Sequence, residues 1–185
     1  MCGAALTLQP WRPFSRVGVI ATLVALALFF ALVLGSERGF VPVLDSANLA
    51  FHEAGHQLYG VLGNGPGLYG GTLGQLTFPL VVLVVFFVRR QPLSVVAGGV
   101  WLGENLLNIA RYMGDARAQE LPLVGGGEHD WWHIFTRWDA LASDTRVARV
   151  TAGLGWVVML GCVGWLLWRW RADERAGRMA ELGQL

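Results

Sequence analysis

Apolar runs of membrane-spanning length alternate along this chain with shorter segments that hold most of the charge. Val17 to Gly35 is a stretch of nineteen uncharged residues, enough to cross a hydrocarbon core of about 30 Å as a helix. Arg12 and Arg16 precede it, as in a secretory signal. The run is long for a signal peptide, however, and Ser36-Glu37-Arg38 follows without a small-x-small cleavage pattern, so it reads as a retained helix. From Gln57 to Val88 no residue is charged, but Gly63-Asn64-Gly65-Pro66-Gly67 divides the stretch and leaves a span over about 70–88, closed by Arg89-Arg90. A third span is predicted over 93–113, with Glu104, Asn105, Asn108 and Arg111 interrupting its apolar character. A fourth runs over 150–168 and ends at Arg169 and Arg171. Two shorter helices complete the reading. One covers about 46–62, with Asp45 or Ser46 as its cap. The other covers about 130–142, with Asp130 as cap and Trp131, Ile134, Phe135, Trp138 and Leu141 on one side, and is expected to lie in the membrane interface.

Composition agrees with an all-α polytopic membrane protein, one membrane domain over residues 1–185. Hydrophobic residues make up 54% of the chain and charged residues 15%, where soluble domains carry roughly 25% charged. The net charge of +1 excludes a nucleic-acid binder driven by global charge. Cys2 and Cys162, the only cysteines, exclude a disulfide scaffold and a cysteine-rich metal knuckle. The fourteen basic residues, all Arg, set the expected topology. Arginines favour the cytoplasmic side, so the N-terminus with Arg12 and Arg16, the Arg89-Arg90 turn, and the C-terminus with Arg169, Arg171, Arg175 and Arg178 are placed inside. Residues 36–69 and 114–148, with Glu37, Asp45, Glu53, Asp115, Glu120, Glu128, Asp130, Asp139 and Asp144, are placed outside. This holds if the 46–62 helix lies at, or dips into, the outer face without crossing.

That helix carries His52-Glu53-Ala54-Gly55-His56. Histidines at i and i+4 stand on one face about one turn apart, so both imidazoles can reach one ion. Glu53 is rotated by roughly 100° from His52. It is off the ligand direction but within reach of a water in the ion's open position. With Zn²⁺ as cofactor the ion polarises a carbonyl and acidifies that water, while the carboxylate takes and returns the proton. A lone histidine here would read as an ordinary polar residue; the paired spacing with Glu53 reads as a metal site.

A catalytic zinc needs a third protein ligand. The preferred candidate is His129, in Glu128-His129-Asp130 after the glycine run Gly125–Gly127. Asp115 and Asp130 are the alternatives, as third ligand or as the carboxylate that orients a ligand's ring. His133, one turn on, is an outside candidate and reads better as an interfacial histidine among tryptophans. Asn105 and Asn108 have two readings: substrate or oxyanion contacts, or hydrogen bonds that tie helices together, with Asp115 then paired to Arg111 or Arg117. Gly63, Gly67, Gly70, Gly71 and Gly74 include small-xxx-small spacings that close helix packing explains.

His-Glu-Ala-Gly-His in a small multi-spanning protein resembles the site-2 protease group of intramembrane zinc metallopeptidases. The resemblance implies zinc on His52 and His56, Glu53 as general base, and peptide substrates cleaved near the bacterial inner membrane. The Asn-Pro and Asp-Gly pairs that carry that group's third ligand have no counterpart here. The chain also resembles small bacterial membrane proteins with a glycine-rich stretch after the motif and a later Glu-His-Asp-Trp, here Glu128 to Trp131. The sequence therefore predicts a membrane-embedded zinc-dependent hydrolase, with a non-catalytic metal-binding protein as the alternative. A haem or quinone redox protein ranks last, because i, i+4 histidines suit one ion's edge better than the two faces of a macrocycle.

Overall fold

A bilayer offers no water to unpaired backbone groups, so apolar segments must bond their own N–H and C=O groups, as helices do. The computed structural model describes residues 10–36, 40–124 and 127–182, and among them it is all-helical, with no strand. Cys2, Glu37, Arg38, Gly125 and Gly126 lie outside the described residues. Six helices follow in order: α1 (Arg16–Gly35), α2 (Pro42–Gly60), α3 (Asn64–Val88), α4 (Pro92–Gly114), α5 (Asp130–Arg137) and α6 (Asp144–Leu182). A 3-10 turn, Leu141–Ser143, leads into α6. Four helices are long and apolar enough to cross a membrane: α1, α3, α4 and the stretch containing α6.

Local chemistry sets the ends. Ser15 caps α1 by accepting from the Gly18 N–H, and α2 and α4 each begin with a proline, whose fixed φ suits the first helical position. The α2–α3 turn passes through Gly63 at φ +113°, a backbone conformation that favours glycine. The helix thus resumes at Asn64, six residues before the predicted span. Most of the glycine run lies inside its first turn, where Pro66 needs no partner for a missing N–H. Likewise α2 starts at Pro42 rather than 46. α5 stops at Arg137 rather than 142, because Asp139 takes a positive φ of 53°. α6 carries 39 residues, about 58 Å of helix, and continues well past a bilayer's thickness.

The spans alternate in direction. At one end, Arg12 N–H bonds Arg90 O in the α3–α4 turn, Trp11 packs edge-on to Phe87 and Trp165, and Arg16 pairs with Glu174. At the other end lie the α1–α2, α2–α3 and α4–α6 connections. α4 is the central helix, packed mainly against α6 and also against α3, while α2 packs on α3.

The two shorter helices, α5 and α2, are both packed into the bundle. The apolar face of α5 (Trp131, Ile134, Phe135) is buried against Ile109, Met113, Ala116 and Ala148, so α5 closes the end of the bundle. α2 runs inward to meet α4 at Trp101, thirteen residues (about 20 Å) from that helix's end. Its close seat on α3 needs glycine. A Cβ on Gly70 would stand 2.7 Å from Gly55 O, and one on Gly55 would stand 2.9 Å from the Gly74 Cα.

Candidate metal centre

α2 presents His52 and His56 one turn apart toward α3 and the start of α5. Gly71 of α3 lies directly beneath the His52 ring, where a Cβ would overlap it. Each imidazole is held from behind. His52 Nδ1 donates to Gln75 Oε1 at 2.9 Å, and His56 Nδ1 donates to the Gly67 carbonyl at 2.8 Å. Both Nε2 atoms therefore face the same point, 3.2 Å apart, and Asp130 Oδ2 completes the triangle at 2.9 Å from His52 and 3.1 Å from His56. For comparison, ligands about 2.05 Å from a tetrahedral ion are about 3.3 Å from one another. His52, His56 and Asp130 can hold a metal ion.

The electrostatics favour a positive charge among these groups. The hydrogen bond that His56 donates to Asp130 raises the histidine to about 9 against the opposing effect of burial. Burial of Asp130 works against its charge, yet the hydrogen bonds of His52 and His56 outweigh it and hold the carboxyl at about 2. Glu53, one residue round the helix, lines the same cavity of about 520 Å³, together with Asn108, Arg111, Tyr112 and the 121–124 segment. The three ligand atoms thus border a space that a substrate group and a water can share, with the Glu53 carboxylate on its wall.

Among the described residues, Asp130 and not His129 groups with the two histidines. The reason is the start of α5. His129 is its N-cap: Nδ1 accepts from the Trp132 N–H, and the ring packs on Tyr112 with centroids 4.1 Å apart. Its Nε2 lies 3.4 Å from Asp115 Oδ2, and burial lowers its pKa. With His129 as cap, Asp130 becomes the first helical residue, its N–H bonded to Tyr112 Oη, and its side chain is free to reach the histidines.

Asp115 has its own tasks. It accepts from the Glu120 and Leu121 N–H groups and pairs with neither Arg111 nor Arg117; Arg117 pairs with Asp144 instead. His133 sits beside Glu128. Asn105 is buried and bonds Asn48 and the Trp101 carbonyl, so it ties α4 to α2. Asn108 lines the cavity and also joins helices, donating to Asp45 Oδ1 at 2.6 Å and accepting from Gln75.

Gln75, Asp45 and Tyr112 have site roles that were not predicted. Two of them leave a trace in the sequence. Gln75 is a lone amide inside an apolar span, and Asp45 stands seven residues, about two turns, before His52 on the same helix. Asp45 is also no N-cap; it lies within α2 and accepts from the Val41 N–H from inside the first turn. Family models, curated proteins and solved structures yield no match to the chain, so the functional reading rests on the geometry of this site.

Proposed function

We propose that the chain is a membrane-embedded zinc-dependent hydrolase whose preferred substrates are peptide bonds presented at the membrane. The observation that carries this reading is the convergence of two imidazole nitrogens and one carboxylate oxygen beside a cavity that also holds Glu53. Two neutral imidazoles and a carboxylate are a donor set that zinc accepts. Three protein ligands with an open position are the pattern of a catalytic rather than a structural zinc. The motif-level resemblance to the site-2 protease group points the same way.

Zinc in this position supplies Lewis acidity toward a carbonyl and toward water. The chain's residues do the rest. Glu53 takes the proton of the attacking water and returns it to the leaving amine. Gln75 and the Gly67 carbonyl keep both rings aimed, and Tyr112 positions Asp130 through its backbone N–H. The distribution of arginine supports an arrangement with both termini in the cytoplasm and the metal centre toward the periplasmic face of a bacterial inner membrane.

The test is metal analysis of the purified protein beside Glu53→Gln. A hydrolase of this kind carries about one zinc per chain, and Glu53→Gln keeps the metal while losing hydrolysis of a membrane-borne peptide reporter. Wild-type protein that takes up no zinc after reconstitution ends this reading. Equal turnover by both proteins removes Glu53 from the chemistry.

A further inference from the structure

His52 and Asp45 stand on the same face of α2, two turns apart, yet they are joined by a path that leaves the helix and returns to it. Asp45 Oδ2 accepts from the Val41 N–H, and Oδ1 accepts from Asn108 Nδ2 on α4. Asn108 Oδ1 accepts from Gln75 Nε2 on α3 at 2.8 Å, and Gln75 Oε1 accepts from His52 Nδ1 at 2.9 Å. Asp45 is 2% exposed, Gln75 3% and His52 7%, while Asn108 is half-buried and lines the cavity.

We infer that Asp45 sets the tautomer of His52 through Asn108 and Gln75, and so keeps the His52 Nε2 lone pair available to the metal. This rests on the metal-site reading above. The reason is the polarity of the groups. A carboxamide can be turned either way, so two amides in series transmit a direction but cannot choose one. A carboxyl group whose two oxygens both accept, as those of Asp45 do from the Val41 N–H and from Asn108 Nδ2, gives the chain a fixed end. Asp45 therefore compels Asn108 to present its NH₂, which leaves Oδ1 for Gln75. Gln75 must then present its own NH₂ to Asn108 and its oxygen to His52. Facing an oxygen, Nδ1 carries the hydrogen, and Nε2 is left as the electron-pair donor. His56 reaches the same end without a relay, because its partner is a backbone carbonyl that cannot be reversed. Asp45 is thus a positioning residue that never touches the ion.

The inference predicts an unusual rescue. Asp45→Asn removes the end that only accepts, so the chain can run backwards and turn the Gln75 NH₂ toward His52. Zinc affinity, measured by competition with a chromophoric chelator, should fall about 10–100-fold, as when groups that orient metal ligands are lost. Gln75→Glu alone traps Asn108 between two acceptors and should also weaken binding. In the double variant Asp45→Asn/Gln75→Glu the acid stands next to His52, Asn108 can turn to suit both neighbours, and affinity should return to within a few-fold of wild type. A double variant no better than Asp45→Asn would overturn the inference, since a merely structural role for Asp45 predicts no rescue.

A second readout does not require metal. In an Asp130→Ala background, which removes the acceptor facing Nε2, ¹⁵N-histidine spectra should show His52 protonated at Nδ1. Adding Asp45→Asn should bring in the Nε2–H form. An unchanged tautomer overturns the relay even in a protein that binds no zinc, whereas failure of wild type to bind zinc with the tautomer shift intact counts against the metal reading alone.

Discussion

The two halves of this bundle are held together in different ways. Where α1 and α6 run along α4, the contact is apolar: Leu26, Val96, Val100, Met159 and Leu166 form its buried centre, with Phe29, Phe30 and Trp156 around them. Where α2 crosses α3 and α4, buried polar groups meet instead. Asn48 bonds Glu104, Trp101 and Asn105, while Asp45, Asn108, Gln75 and His52 form a second line beside them. In a bilayer, apolar helix faces gain little from leaving lipid tails, so their association rests on shape. Polar groups have no such indifference, because an unpaired one in a low-dielectric interior costs about 1–3 kcal/mol. The apolar half therefore depends on close fit alone and the polar half on particular partners as well, and the polar half is where His52, His56 and the groups behind them stand.

Substitutions in the two halves should differ in their effects, the largest in the polar half. Gly74→Leu drives a side chain into the backbone of α2 near Phe51 and Gly55. It should separate α2 from α3, abolish metal binding and destabilise the fold by more than the usual overpacking penalty of about 1–3 kcal/mol. Normal zinc uptake in this variant would mean that the glycine contact does not set the site.

Next come the two neighbours at the start of α5. Asp130→Ala should lower zinc affinity by more than the about 10–100-fold typical of residues that only orient a ligand. His129→Ala should keep the zinc and lose about 1 kcal/mol of stability as a missing cap. A chelator competition on both proteins reads the contrast, and reversed results would restore His129 as the ligand.

Asn48→Ala leaves Glu104 and Trp101 without a shared partner and should cost about 1–3 kcal/mol in a denaturation series. Smallest is the change in the apolar half: Met159→Leu conserves volume and should stay under about 1.5 kcal/mol, with zinc affinity unaltered. An effect of Met159→Leu as large as that of Asn48→Ala would erase the distinction between the halves.

Much of the fold is legible along the chain, because the bilayer makes a local demand. Any helix that crosses needs a long uncharged run, and four such runs correspond to four helices. The departures are equally physical. The glycine run after the motif reads as a break, but glycine and a first-turn proline are tolerated at a helix start, and only Gly63 supplies the turn. The aromatic face of α5 has the pattern of an interfacial helix, since a membrane surface and a protein surface ask for the same amphipathic spacing. In the folded chain that face packs on Ile109 and Met113 of α4 and Ala148 of α6.

The same division holds at the centre itself. That His52 and His56 share a face, with Glu53 beside them, is already legible in the motif, because helix geometry over five residues leaves no choice. The tertiary structure alone decided that Asp130 and not the adjacent His129 completes the triangle. That choice depends on which residue caps α5 and on where Tyr112 stands to receive it. It also decided that Gln75, Asn108 and Asp45 stand behind His52. Hydrogen bonds reach about 3 Å, and these partners, 23 and more residues apart in the chain, come within that distance only once three helices have packed.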